Sequence, residues 1–210
     1  MPYIAEVSVN LYLHNAYILS MPCEITKMGT CVLRPREVTA LLEKMNPKYR
    51  AICEALLHSQ MRVEEFWWFV QHPEAYKPSR RCISLPRDAI RKKTRYPERD
   101  VVLSIKGCQV IEHLIAMKLT KKDIISRQAM GQYIDGIAVE AGIGKEGMCP
   151  KMFRKTAISW LSAIYPEKHA WINSSAGHTS EVQLGHYLGI AFTREDMEDM
   201  RVLLRGWGEA

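Results

Sequence analysis

The sequence predicts an α+β fold that is mainly α-helical, with one small antiparallel β-hairpin or sheet. Three observations predict it. Apolar residues recur at helical spacing along most of the chain from Pro35 onward. Between Pro73 and Pro97 that spacing disappears, and short β-type runs flank a charged stretch. At 210 residues and 47% hydrophobic, the chain is long enough to bury a real core yet short enough to be one domain.

The elements follow in order. Residues 1 to 33 include Val7 to Leu13, whose alternation hints at a strand, but His14, Asn15, Pro22 and Gly29 interrupt the pattern and no role is assigned to the segment. From Pro35, the apolar residues Val38, Leu41, Leu42 and Met45 share a helix face, with Pro35 in the first turn and Asn46-Pro47 as the stop. A second helix over about Lys48 to His58 carries Ile52, Ala55, Leu56 and Leu57. Ser59-Gln60-Met61 breaks the run before a third helix expected to contain Arg62 and the core aromatics Phe66 to Phe69. Cys82 to Leu85 and Asp100 to Ser104 read as the two arms of the hairpin. Helices are then expected near Gly107 to Lys118, Arg127 to Ala141, Lys151 to Ile164 and Glu167 to Asn173. A last helix is capped by Thr193, with Asp196 three residues on, and ends at Gly206.

Composition excludes several classes. No apolar run approaches the length of a bilayer span, and the N-terminus lacks a basic region followed by an apolar stretch, so a cytoplasmic protein with no membrane partner is expected. The six cysteines form no C-x-x-C pair, so neither a zinc site nor a disulfide framework is expected and reduced thiols are. Lys and Arg total 29 against 23 Asp and Glu, a formal charge of +6 that suits a polyanionic partner without requiring one.

Two clusters carry chemistry. The first is Lys77, Arg80, Arg81, Arg87, Arg91, Lys92, Lys93, Arg95 and Arg99, on or beside the hairpin tip, where such charges are not expected to be buried. Such a cluster is ordinarily a solvated loop, although a protruding basic hairpin also suits phosphate neutralisation in a nucleic-acid groove. The second is Lys151-Met-Phe-Arg154, then Ala176-Gly177-His178-Thr179, then His186-Tyr187. Singly these residues are ordinary: a surface cation, a structural histidine, a packed tyrosine.

Their order and spacing resemble the catalytic domain of the tyrosine recombinase (phage integrase) family, most closely its archaeal virus and plasmid integrases, over roughly residues 33 to 207. Leu57 to Arg62 with Glu65 resembles the family's first arginine turn. Lys93, or its neighbour Lys92, stands where the family places a hairpin lysine. Lys151-x-x-Arg154, continuing into an apolar helix, resembles the second basic motif. Gly177-His178-Thr179 precedes Tyr187 in the family's register, nine residues separating His178 from Tyr187 and 33 separating Arg154 from it. Three positions depart from the pattern: Gln60 where Gly is frequent, Ala176 where Leu is usual, and Lys151 where His is commoner.

The resemblance implies a tyrosine recombinase catalytic-domain fold over 34 to 210 and a site-specific recombinase that cleaves and rejoins DNA through a 3′-phosphotyrosyl intermediate. Attack on a phosphodiester builds negative charge on the non-bridging oxygens, which guanidinium forks match, so Arg62 and Arg154 are expected to clamp the phosphate. His178 would donate a further hydrogen bond, and Tyr187 would be the nucleophile. Lys93 is the expected general acid for the leaving 5′-oxygen, and Lys151 would support the phosphate or the proton balance near Tyr187. No cofactor or metal is implied, because fixed cations would supply the charge stabilisation.

The implied partners are a double-stranded DNA attachment site and further copies of the chain in a homotetramer on that DNA. The family also carries a separate N-terminal DNA-clamping domain, for which 33 residues are too few. A catalytic fragment, a piece of a split integrase, and a non-catalytic DNA-binding remnant therefore stand beside the active recombinase. A type IB topoisomerase-like enzyme is the rival with the same chemistry.

Overall fold

The computed structural model describes residues 24–26, 29–89, 98–177 and 191–209. The suggested strand at Val7 to Leu13, the hairpin tip with Arg91, Lys92, Lys93 and Arg95, and the segment with His178, Thr179, His186 and Tyr187 lie outside them.

A two-stranded antiparallel ribbon, β1 (Glu24–Ile25) with β2 (Cys31–Val32), leads into α1 (Pro35–Lys44), α2 (Pro47–Ser59) and α3 (Val63–Gln71). A three-stranded antiparallel sheet follows: β3 (Tyr76–Lys77), β4 (Cys82–Leu85) and β5 (Arg99–Val102), in that spatial order. Then come α4 (Ile105–Ala116), α5 (Arg127–Glu140), α6 (Lys151–Ile164), α7 (His169–Ala176) and α8 (Arg194–Leu203). The expected mainly helical α+β architecture is present.

α6 is the centre of the molecule. Met152 through Leu161 are all buried, and a helix buried on every side must be surrounded by other elements. α2, α7, α8 and β2 pack on it. The segment leading into α1 is tied to the same helix: the Leu33 amide donates to Thr156 Oγ1 at 3.0 Å, and Trp160 Nε1 donates to the Leu33 carbonyl at 2.9 Å. The described part of the N-terminal stretch therefore belongs structurally to the helical unit. At its back, the Cys31 amide donates to the Gly147 carbonyl, and a Cβ on Gly147 would stand 2.7 Å from the Cys31 nitrogen.

Local physics shifts several expected boundaries. Arg62 is not inside the third helix but its N-cap, with extended backbone at φ −71° and ψ 155°. The β4–β5 register pairs Leu85 with Arg99 and Cys82 with Val102, so the second arm is Arg99–Val102 and not Asp100 to Ser104. Ser104 instead caps α4, its Oγ accepting from the Gly107 amide at 3.0 Å, which starts that helix two residues early. β3 is a third strand that two residues are too few to announce by alternation. α7 begins after a single 3₁₀ turn and runs on to Ala176. Thr193 and Asp196 cap α8 as expected, the Asp196 amide donating to Thr193 Oγ1 at 3.1 Å and the Thr193 amide donating to Asp196 Oδ2 at 2.8 Å.

One thiol expectation is corrected: Cys31 is disulfide-bonded, whereas Cys53, Cys82, Cys108 and Cys149 are free. Disulfides follow from which sulfurs fold close together, not from sequence spacing. No helix among the described residues is long and apolar enough to cross a membrane.

Candidate active site

Three chain reversals converge where the two expected arginines sit. α2 ends in a left-handed residue, Gln60 at φ 55°, whose amide closes the helix on the Leu56 carbonyl at 3.2 Å. Glycine takes this conformation without steric cost; glutamine takes it at a cost of about 1–2 kcal/mol. Two residues later Arg62 opens α3, and Glu65 in the first turn caps it by accepting the Arg62 amide at 2.7 Å. The same carboxylate accepts Arg62 Nη1 at 2.6 Å, so backbone and side chain of Arg62 are both held by one residue.

Arg99, at the start of β5, approaches Glu65 from the opposite side. Its Nη1 and Nη2 donate to Oε1 and Oε2 at 3.0 and 2.6 Å, and its Nε donates to the Ser175 carbonyl at 2.9 Å. Both side chains of this pair are only 2% exposed. Arg99 therefore corrects the expectation that the charges around the hairpin tip stay out of the core. The alternation Arg99, Val101, Leu103 puts it on the inward face of the strand, and the partner across the interface lets the charge be buried.

Burial works to raise the Glu65 pKa, but the Arg99 hydrogen bonds and charge, then the Arg62 and Arg154 charges, outweigh it and bring the group down to about 2. Glu65 is thus an anion shared by three guanidiniums.

Arg154 lies one turn into α6 and is buried, 5% exposed. Its Nη1 donates to the Gln60 carbonyl and its Nη2 to the Ala176 carbonyl. Arg62 Nη2 donates to the next carbonyl along, Gly177, at 3.3 Å. Two arginines 92 positions apart in sequence thus meet adjacent carbonyls at the end of α7, immediately before His178. Gly177 turns the chain there at φ +64°, and a Cβ on it would lie 3.2 Å from Arg99 Cδ and Nη1. The backbone angle favours glycine, and any larger residue would also press on the Arg99 side chain.

Lys151, the first residue of α6, is exposed and three positions before Arg154, one helical turn away on the same side. Lys155 is buried, its ammonium donating to Thr26 Oγ1 at 2.7 Å; burial and then the Lys151 charge lower its pKa. Lys93 and Lys92, His178 and Tyr187 lie outside the described residues, so what is brought together is Arg62, Arg154 and the two carbonyls leading into His178. Sequence reasoning passed over Arg99 as a site residue, although strand alternation held the signal. Glu65 was singled out only through the resemblance, three positions after Arg62, and its capping role is decided by the structure.

Chemically, three guanidiniums against one carboxylate leave a net charge of +2, with Arg62 the open member at 27% side-chain exposure. Such a half-open cationic hub suits an oxyanion. An open hollow of about 590 Å³ beside the hub is a poorer cradle for one, since Glu74, Glu98 and Asp100 line it.

Two solved structures share the architecture. A XerA recombinase matches with a TM-score of 0.59 at 15% identity, over 84% of this chain and 66% of its own. A XerH site-specific recombinase, in a post-cleavage complex with its palindromic difH substrate, matches with a TM-score of 0.55 at 16% identity, over 80% of this chain and 51% of its own. The fold is that of a tyrosine recombinase catalytic domain. The chain spans about two thirds and about half the length of these two recombinases. No protein-family model and no curated protein matches the sequence.

Proposed function

We propose that this chain is the catalytic domain of a site-specific DNA recombinase, an integrase that breaks and rejoins strands through a 3′-phosphotyrosyl link at Tyr187. The observation that carries the reading is the meeting of Arg62 and Arg154 on the Ala176 and Gly177 carbonyls, within a fold shared with two recombinases. That meeting puts two guanidiniums beside the start of the Gly177-His178-Thr179 turn, nine residues ahead of Tyr187.

In this reading Arg62 and Arg154 hold the two non-bridging oxygens of the scissile phosphate, and His178 adds a hydrogen bond as charge builds on them. Tyr187 attacks phosphorus, its phenolic proton leaves, and the 5′-oxygen departs with a proton from Lys93, with Lys92 the alternative donor. Lys151 supplies further positive charge next to Arg154. Its presence where histidine is commoner favours archaeal virus and plasmid integrases as nearest kin. The energy of the phosphodiester is kept in the tyrosyl link, so rejoining needs no nucleotide. The partners in this reading are duplex DNA carrying an attachment site and further copies of the chain, four to a synaptic complex.

The test begins with a library of nicked duplexes randomised over several helical turns, from which DNA that stays attached to the protein after denaturation is recovered and sequenced. The recovered site then serves as a nicked suicide substrate. Wild type is expected to accumulate a covalent adduct and Tyr187→Phe none; equal yields from the two proteins rule out Tyr187 as the nucleophile.

A further inference from the structure

An ionised carboxylate offers about four lone-pair sites, two on each oxygen. In Glu65 all four are taken, among the described residues by Arg62 and Arg99: Oε2 by the Arg62 amide and Arg99 Nη2, Oε1 by Arg62 Nη1 and Arg99 Nη1. The Arg99 side chain is only 2% exposed, and its Nε is tied to the Ser175 carbonyl. The next tie in the same direction is the Val102 amide on Ser175 Oγ at 2.9 Å, so β5 is stitched to the last turn of α7 by both ends.

We propose that Arg99 is a positioning residue for the reaction: it saturates the far side of Glu65 so that Arg62 stays directed outward, and it fixes the end of α7 on which Arg62 and Arg154 meet. This rests on the recombinase reading of the same site. The physical reason is competition for charge. A carboxylate facing Arg62 alone can rotate to close on its guanidinium with both oxygens, the strongest pairing such groups make. That pairing would neutralise Arg62 and turn its fork away from an incoming phosphate. With Arg99 occupying two sites and contributing a second positive charge, Glu65 orients Arg62 without consuming it. The buried pair thus has a use beyond stability, to which buried ion pairs contribute little on balance.

A purely structural Arg99 and a positioning Arg99 differ in what their loss does once Arg62 has already been altered. The experiment compares wild type, Arg99→Lys and Arg99→Met, and the same two changes in an Arg62→Lys background, using the suicide substrate recovered from the randomised library. Measured for each are the single-turnover rate of adduct formation at saturating protein, the dissociation constant for the same DNA, and the melting temperature. Arg99→Lys keeps the charge and most of the stem, so it decides the outcome where Arg99→Met does not fold.

The expected result is a fall in the rate of about 10-fold for Lys and about 10²-fold for Met, with DNA affinity changed less than about threefold. In the Arg62→Lys background the same changes are expected to cost less than about threefold, because the effect passes through Arg62. Two results overturn the proposal while leaving the recombinase reading intact: Arg99 variants that match wild type in rate, or an undiminished loss in the Arg62→Lys background. A wild type that forms no adduct with any duplex in the library overturns the recombinase reading, and this inference with it.

Discussion

Arg154 reaches from the first turn of α6 to the Ala176 carbonyl at the end of α7, and with its other terminal nitrogen to the Gln60 carbonyl at the end of α2. One side chain thereby joins the ends of two helices, where carbonyls lack intrahelical partners, beside the Arg62 guanidinium. Structure and chemistry are inseparable at this residue, which shapes what its replacement will do.

Arg154→Lys is expected to lower the single-turnover adduct rate by about 10²-fold or more, and also to destabilise the fold by about 2–4 kcal/mol, because one ammonium cannot serve two buried carbonyls held apart by a fork. Urea denaturation and the suicide-substrate assay measure the two effects separately. A variant with wild-type stability would show that the carbonyls find other donors.

Glu65→Gln leaves Arg99 buried against a neutral amide. A loss of about 3–5 kcal/mol is expected, the scale for stripping one partner from a buried ion pair. The pH dependence has a definite sign. The Glu65 pKa is about 2 in the folded chain against an ordinary 4.5, so its contribution is fully present above about 4.5 and is lost as pH falls towards 2. Chemical denaturation between pH 2 and 5 should show wild type losing stability through that window and Glu65→Gln losing less. Parallel curves would mean that the carboxylate is not held as described.

His58 gives a second acid response at higher pH. It is buried, and its Nδ1 has no hydrogen-bond partner among the described residues. Burial and then the Lys106 charge lower its pKa to about 4 from an ordinary 6.5. The unfolded chain therefore takes up the proton first as pH drops below about 6.5, and stability falls until about pH 4, by on the order of 3 kcal/mol in total. His58→Asn is expected to flatten stability between pH 6.5 and 4, whatever its effect at pH 8. An unchanged slope would assign the acid sensitivity to another group.

Gly177→Ala adds a methyl group at φ +64° and 3.2 Å from Arg99 atoms. A cost of about 1–3 kcal/mol is expected from the backbone angle and the displaced guanidinium. Since the same residue accepts Arg62 Nη2, the adduct rate should fall further than stability alone explains, by about 10-fold at a temperature where the variant is fully folded. A variant with a full rate would uncouple the turn from the site.

The helices were legible because their signals are local. Val38, Leu41 and Leu42 recur at the period of a helix, Thr193 and Asp196 sit where a cap must sit, and both readings need only neighbours a turn away. Boundaries failed where a residue's role depends on a partner elsewhere. Arg62 looked like part of a helix because a cap without Ser, Thr, Asp or Asn gives no signal of its own; its capping partner is the carboxylate that also meets Arg99. Arg99 looked like a solvated charge because the compensating Glu65 is 34 positions away. The Cys31 disulfide was missed because no cysteine spacing in the sequence marks a pair.

By itself the sequence determined which residue types stand in which order: Arg62, a basic hairpin, Lys151-x-x-Arg154, and a Gly177-His178 turn ahead of Tyr187, on a mainly helical chain. Periodicity, caps and register are written in one dimension. Only the tertiary structure decided that Arg62 and Arg154 meet on adjacent carbonyls, and that Arg99 shares Glu65 with Arg62. Charges can be buried only where opposite charges and acceptors from distant segments arrive together, and that arrival is set by the packing of α2, α6, α7 and β5 rather than by spacing along the chain.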